Sequence, residues 1–436
     1  MSKIFRKFTI SKLFRILPAA FSWLFPGLQV KRWIFLCLLG GALSIFGGVQ
    51  FFLISGKYKT LFLVIFVLGS GVLILGVILL LRSIISAVLP SRDRHIIDYM
   101  YRERILEKNP KVVAIGGGSG LSNLLSGLKE YTKNITAVVT VADEGGSSGR
   151  LRKDFDIIPP GDIRNCLVAL ADASELMRRL FQYRFNRPEG LKGHSFGNLF
   201  LTAMREVTGN FEDALKESSR ILAIRGRVLP ASLDSVRIKA ELVDNSVVEG
   251  EAEIPKKGLA IRRVYLVPEN ARANREVLEA IKEADMIIIG PGSLFTSIIP
   301  NFLIKEIALA VKDSSALKVY VCNIMTQHGE TDNFSAADHI KSIYKHSFKE
   351  TIDICLVNTM PPAEEVIRKY QSQDSYLVNV DREEIEKIGF KLVEADLISE
   401  GDFVRHDPEK LTCKLIEIYE KWVNDVKNRE ENNNIG

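Results

Sequence analysis

Two stretches without one charged side chain decide the first thing this chain can be. Residues 33–55 read WIFLCLLGGALSIFGGVQFFLIS and residues 60–81 read TLFLVIFVLGSGVLILGVILLL. Each supplies the roughly 20 apolar residues that a helix needs to cross a bilayer core. Only Gly56, Lys57, Tyr58 and Lys59 separate them. The pair therefore reads as a transmembrane helical hairpin within residues 33–89. A cleaved signal peptide does not fit, because the run is long and a second one follows it. Seven Lys or Arg precede the first run, two lie in the connecting loop, and five fall between Arg82 and Arg104. By the positive-inside tendency both ends face the cytoplasm. The expected location is the cytoplasmic membrane, with a soluble domain inside the cell.

The net charge of +5 hides a division. No acidic residue occurs before Asp93, where 11 basic ones lie, so the remainder carries 58 − 11 = 47 basic against 53 acidic side chains. The basic surplus belongs to the anchor, and the mildly acidic remainder argues against nucleic acid as a partner. Within the basic segment 1–32, Ile10, Leu13, Phe14 and Leu17 share one helical face, with Lys12 and Arg15 elsewhere. That pattern suits a helix lying on anionic lipid. A partly ordered basic tail is the plainer reading. The five cysteines (Cys37, Cys166, Cys322, Cys355 and Cys413) form no CxxC pair. Reduced thiols are expected inside the cell.

Residues 90–110 read as a charged, helix-prone linker. Beyond it, strand-like runs at 111–116, 135–142, 285–289, 317–324, 353–358 and 375–380 alternate with helical patterns. The helices are expected at 120–130, 163–184, 196–208, 211–224, 301–312, 336–346 and 408–426. Such alternation predicts an α/β domain over 111–426, a mostly parallel Rossmann-like sheet with helices on both faces. Residues 236–254 carry Asp-Asn between two alternating runs, which predicts an antiparallel hairpin. Residues 427–436, KNREENNNIG, read as a disordered tail.

The run KVVAIGGGSGLSNLLSGLKE is a strand, a glycine loop and a helix without a gap. Gly116, Gly117, Gly118 and Gly120 allow a tight turn and close approach of backbone to phosphate, with Ser119 and the first helical amides toward the anion. A second such turn, Gly290-Pro291-Gly292-Ser293, follows the apolar run 286–289. Two loops of this kind on one sheet edge suggest a ligand with two ends, such as a dinucleotide or a nucleotide sugar. In VTVADEGGSSGRLR a strand ends in Asp143 and Glu144, followed by Gly145, Gly146, Ser147 and Ser148. These carboxylates suit Mg²⁺, a ribose hydroxyl or general-base work. Arg150 and Arg152 suit phosphate. In PPGDIRN, Asp162 reads as a helix cap or a ligand contact, with Arg164 and Asn165 in the first turn. In GHSFGN, His194 and Ser195 open a helix and Asn198 lies one turn on. With no second histidine at metal spacing, zinc is not expected. Adjacent Ser and His make a poor nucleophile pair. Asn323 and Thr326 reach the same sheet edge, and His328 and Glu330 read as solvent-facing.

Taken in order, GGGSGL, TVADEGGSSGRLR, PPGDIRN, GHSFGN, VLPAS, GPGSLFTS and CNIMTQHGETD resemble the bacterial gluconeogenesis factors of the YvcK type, relatives of the CofD-type 2-phospho-L-lactate transferases. The resemblance covers roughly residues 110–410. It implies a CofD-like fold, a UDP-sugar ligand such as UDP-N-acetylglucosamine, and a link to cell shape and cell-wall synthesis. It also implies that Asn301, Tyr370 and Arg405 lie near the nucleotide sugar, Tyr370 against the base and Arg405 on the diphosphate. The sequence departs from the family in three places. Its usual Asp-Asp pair is Asp143-Glu144, its loop threonine is Ser119, and its LYTS is Leu294-Phe295-Thr296-Ser297. The hairpin is an addition to the many soluble members.

The leading expectation is a membrane-anchored UDP-sugar-binding regulator. The rival is an Mg²⁺-dependent phospholactyl-type transferase, with Asp143 or Glu144 on the metal and Arg164 on the leaving diphosphate. An NAD-binding oxidoreductase is weaker, because no hydride-transfer constellation is evident. The expected partners are a UDP-sugar or other phosphorylated small molecule, membrane lipid and cell-wall synthesis proteins, with homo-oligomerisation left open.

Overall fold

A computed structural model describes residues 30–54, 56–88 and 106–433. The expected lipid-surface helix over 2–25 and most of the linker 90–110 lie outside the described residues. The chain divides into two units, Met1–Met100 and Tyr101–Gly436.

In the first unit the two apolar runs form the helices Val30–Leu53 and Lys59–Val88. Both meet the length and hydropathy of a membrane span. Their packing is governed by small residues. A Cβ on Gly40 would lie 2.4 Å from the Leu73 amide nitrogen, one on Gly47 2.6 Å from that of Phe66, and one on Gly69 2.5 Å from that of Ser44. Only glycine allows backbones this close, and in lipid such close packing replaces the hydrophobic drive that water supplies elsewhere. The Ser44 and Ser70 hydroxyls meet at 2.8 Å within the seam.

The second unit is built on a seven-stranded parallel sheet. Its strands are β1 (Val112–Gly116), β2 (Ile135–Val139), β3 (Arg227–Pro230), β7 (Met286–Ile289), β8 (Leu317–Val321), β9 (Ile354–Asn358) and β10 (Lys391–Ala395). A separate antiparallel sheet holds β4 (Arg237–Leu242), β5 (Val247–Glu249) and β6 (Ile261–Val267) in the order β5-β4-β6. The large sheet runs β10-β9-β8-β7-β1-β2-β3. Every residue of β1, β2, β7 and β8 is buried, as expected of central strands covered by helices on both faces. Each fully buried Val, Leu or Ile there contributes about 1.5–3 kcal/mol over exposure.

Several expectations need correction. The helix expected over 163–184 is two, Pro160–Leu170 and Glu175–Gln182, because Ser174 caps the second by accepting from the Met177 amide. The region 301–312 is likewise broken, with Leu294–Leu303 and Lys305–Asp313 meeting at 82°. Its apolarity belongs to the core, where Leu294, Phe295, Ile298 and Ile299 are almost wholly buried. Residues 375–380 form no strand, only isolated bridges from Leu377 to Met325 and from Asn379 to Ser335. The hairpin at Asp244-Asn245 is present, with Asn245 at φ 65°, but β6 extends it to three strands. The last helix, Pro408–Asn433, runs through most of the expected tail.

Candidate functional site

From β1 the chain builds outward through β2 to β3. It then returns to β7 on the other side of β1 and builds away through β8, β9 and β10. The strand order thus reverses between β1 and β7, and open α/β sheets hold ligands in the crevice that such a reversal leaves. Both glycine loops sit there, at the carboxyl ends of neighbouring strands. The Gly290 amide donates to the Ile115 carbonyl at 2.9 Å. A Cβ on Gly120 would lie 2.5 Å from the Pro291 carbonyl oxygen, so the loops touch backbone to backbone. Gly118 and Gly290 take φ of 65° and 76°, a region that disfavours other residues. Asn323, just past β8, clamps the second loop twice: its Nδ2 donates to the Gly292 carbonyl at 2.8 Å and its Oδ1 accepts from the Gly292 amide at 3.2 Å.

A cleft of about 370 Å³ opens over these loops, lined by Ser119, Gly120, Gly292, Ser293, Asn323, Tyr370 and Arg405 among others. Its far wall is amphipathic. The Tyr370 hydroxyl accepts from the Val404 amide at 3.2 Å, which fixes the ring. Phe403 is 54% exposed, with the Lys369 ammonium 4.5 Å and the Arg405 guanidinium 5.5 Å from its ring centroid. An exposed aromatic ring flanked by cations suits a base stacked beside phosphate.

Beneath the first loop the site turns acidic. Asp162 does not cap its own helix. Its Oδ2 accepts from the Gly118 amide at 2.7 Å. That amide is therefore held by a carboxylate and does not point to a ligand. Burial, then the neighbouring Asp143, lifts the Asp162 carboxyl to about 6, against the pull of the Gly118 bond and of Arg164. Asp143 itself accepts from the Gly145 amide at 2.8 Å. Glu251, from the loop after β5, is pushed well above the usual carboxylate range by burial and by Asp143 and Asp162. Glu330, expected in solvent, is 2% exposed and rises to about 7 through burial. Its Oε1 accepts from Thr296 and Gln327, and its Oε2 has no hydrogen-bond partner among the described residues. Gln327 in turn accepts from Ser293, so a hydrogen-bonded chain joins the cleft to the buried acid.

Glu144 stands apart from this cluster. It pairs with Arg152 at 3.5 Å and Arg237 at 3.4 Å. Among the described residues no group of three or more His, Cys, Asp or Glu is arranged to hold a metal ion. Mg²⁺ commonly uses one or two carboxylates with phosphate oxygens and water. Asp143 and Asp162, close enough to repel each other, fit that need, and Glu144 does not.

The remaining motif residues serve in other ways. The Ser147 hydroxyl lies 2.9 Å from His194 Nδ1 and accepts from Asn198 Nδ2 at 3.0 Å. Burial, then Arg150, lowers the pKa of His194. Ser195 caps the helix Phe196–Thr208 and accepts from Arg164, whose second nitrogen donates to Asn165 at 2.7 Å. Arg164 is 4% exposed and locked into these contacts, so it does not reach a leaving group in the cleft. Asn301 is fully buried behind the glycine loop, donating to the Ser297 carbonyl at 2.8 Å and the Gly116 carbonyl at 3.4 Å. It supports the loop and does not line the cleft. Gly116 and Gly117 are buried at the loop's base, and Gly146 lies exposed at the start of the helix Gly146–Phe155.

Residues 112–398 match the family model of CofD, the 2-phospho-L-lactate transferase. The gluconeogenesis factor of Bacillus subtilis is 47% identical, over 71% of this chain and 98% of that one. A relative of the same family name from Nostoc sp. is 47% identical over 92% of both chains, so its match extends beyond the α/β domain. A crystal structure of a UPF0052 family member from Bacillus halodurans is 46% identical and covers 71% of this chain and 100% of that one, with a TM-score of 0.69.

Proposed function

Because the chain belongs to the gluconeogenesis factor family and carries its CofD-type domain, we propose that it is a membrane-anchored, UDP-sugar-binding regulator of the cytoplasmic face. The observation that carries this reading is the cleft at the β1–β7 strand switch. Two glycine loops offer backbone to a diphosphate. Tyr370 and Phe403 offer ring faces to a uracil, and Arg405, beside the Phe403 ring, offers a cation. Asn323 and Ser293 hold the loop that the sugar end would meet. The two apolar helices keep the domain at the membrane, where wall-precursor chemistry takes place, and enzymes of cell-wall synthesis are the partners this reading implies.

The test is calorimetric titration of UDP-N-acetylglucosamine onto the full chain in detergent, with Mg²⁺, followed by mass analysis of the recovered ligand. Saturable binding with intact ligand is expected. No binding would remove the assignment.

One observation favours a second reading. Asp143 and Asp162 repel each other beneath the loop that would hold the phosphates, and a cation bound with the phosphates would relieve that repulsion. An Mg²⁺-dependent transferase would use that arrangement. Repeated turnover of the nucleotide donor in the same experiment would establish it in place of a sensor.

A further inference from the structure

We propose that the domain has a second ligand site, separate from the strand-switch cleft, that takes a phosphate-bearing small molecule. The site is a cavity of about 690 Å³ between the helix Gly146–Phe155 and the antiparallel insert. That volume suits a small-molecule ligand. The proposal stands independently of what occupies the first cleft.

The helix presents one face to this cavity. Gly146, Gly149, Arg150 and Lys153 recur at i, i+3, i+4 and i+7. The glycine end leaves space, since a Cβ on Gly146 would meet nothing within 4 Å. The other end supplies cations. Arg150 donates to the Lys192 carbonyl at 2.7 Å, and among the described residues neither it nor Lys153 has a carboxylate partner.

The built element is Arg152. Its residue is 7% exposed, and Nη2 donates to the Val236 carbonyl at 2.7 Å and to Ser235 at 3.0 Å. Nη1 is buried and pairs with Glu144 at 3.5 Å, so Arg152 ties the helix to the insert and holds Glu144 at the cavity wall. The cations left to meet a ligand are Arg150 and Lys153, which line the cavity from the same helix.

The carboxylates around the cavity are mostly engaged. Glu144 is shared by Arg152 and Arg237, Glu249 by Arg237 and Lys239, and Glu253 is held by Lys256. Among the described residues, Asp156 at the rim has no ion-pair partner. The unused charge in the cavity is therefore positive. Gly250, at φ 103°, brings the insert down upon Glu144, where a Cβ would lie 2.8 Å from Oε2. The insert thus acts as the roof of a second site. Of the acidic pair, Asp143 faces the carboxylates under the first loop and Glu144 faces this cavity.

Inorganic phosphate is the probe. It would be titrated onto the full chain in detergent at constant ionic strength, followed by calorimetry and phosphorus NMR line broadening. The double variant Arg150→Gln/Lys153→Gln changes two exposed side chains and should fold with an unchanged melting temperature. Gly120→Ala serves as the background, because it disables the first cleft, the other place where phosphate would bind. We expect saturable phosphate binding that persists in Gly120→Ala and that the double variant, added to that background, weakens by about tenfold or more. Phosphate binding that is lost in Gly120→Ala alone, or that survives all three substitutions, would overturn the proposal, as would no saturable binding at all. UDP-N-acetylglucosamine titrated onto the same samples separates the two readings, since its failure to bind leaves the phosphate result standing.

Discussion

The Asp162 carboxylate accepts the Gly118 amide at 2.7 Å, so an acid from the third residue of one helix stabilises the glycine loop at the start of another. Burial of the carboxyl, only partly offset by this bond, makes the residue sensitive to pH. The Asp162 carboxyl sits at about 6 in the fold against 3.8 for the free group. A raised acid pKa favours the folded state when the group is protonated. Stability from this residue is therefore greatest below pH 3.8 and declines as pH rises through 6. By linkage the loss above that range is roughly 3 kcal/mol. Asp162→Asn keeps an oxygen for Gly118 and removes the charge. It should raise the melting temperature by several degrees at pH 8 and hardly at all at pH 4. An equal gain at both values would show that the charge is not what costs stability. Glu251 and Glu330 are shifted the same way, so the wild-type domain should itself lose stability from pH 5 to pH 8.

Contact between the two glycine loops makes Gly120 the sharpest test of the cleft. The added methyl of Gly120→Ala would press on the Pro291 carbonyl at 2.5 Å, backbone against backbone. The loops must then separate, while the helix it opens gains a better helix former. Affinity for UDP-N-acetylglucosamine should fall by about tenfold or more, roughly 1.4 kcal/mol, with circular dichroism unchanged. Unaltered affinity would place the ligand elsewhere.

Tyr370 and Phe403 divide the far wall into a fixed ring and an exposed one. Tyr370→Phe keeps the ring and loses the acceptor for the Val404 amide. Phe403→Ala removes the ring that Lys369 and Arg405 flank. If the wall stacks a base, Phe403→Ala should weaken UDP binding by about 1–2 kcal/mol and Tyr370→Phe by less than about 1 kcal/mol. A binding loss confined to Tyr370→Phe in a titration series would mean that the hydrogen bond, and not the stacking face, recognises the ligand.

How far the sequence could be read follows from the range over which each feature is determined. The glycine loops at 116–120 and 290–293 were legible because strand, turn and helix start lie within a dozen residues. Asn323, Tyr370 and Arg405 line the cleft over these loops. Burial was not legible. Glu330 sits in a polar run, QHGETD, and becomes buried only because β8 delivers it beneath Thr296. Glu251 enters the acidic cluster through an insert whose fold gives no local sign of it. Ser147 and His194 lie 47 residues apart, so their pairing belongs to tertiary structure, while the neighbouring Ser195 turned to capping. The strand β3, RVLP, is short and ends in proline, which hid it. The resemblance placed Asn301 at the sugar, yet zero exposure puts it behind the loop.

The pair of apolar helices offers a test that needs no ligand. Gly40, Gly47 and Gly69 each stand where a Cβ would lie within 2.6 Å of a backbone nitrogen on the opposite helix. Gly41 and Gly71, of the same residue type and on the same helices, have nothing within 4 Å of such a Cβ. Composition and span length are identical for the two sets, so they differ only in the seam. Gly69→Leu should drive the helices apart and break the Ser44–Ser70 contact at 2.8 Å, whereas Gly71→Leu should be tolerated. The reading is the distance between spin labels placed on the two helices of the full chain in lipid vesicles. A widening in Gly69→Leu with none in Gly71→Leu is the expected result. Equal widening in both would mean that the helices do not pack through this seam, and the hairpin would have to be redrawn around a different face.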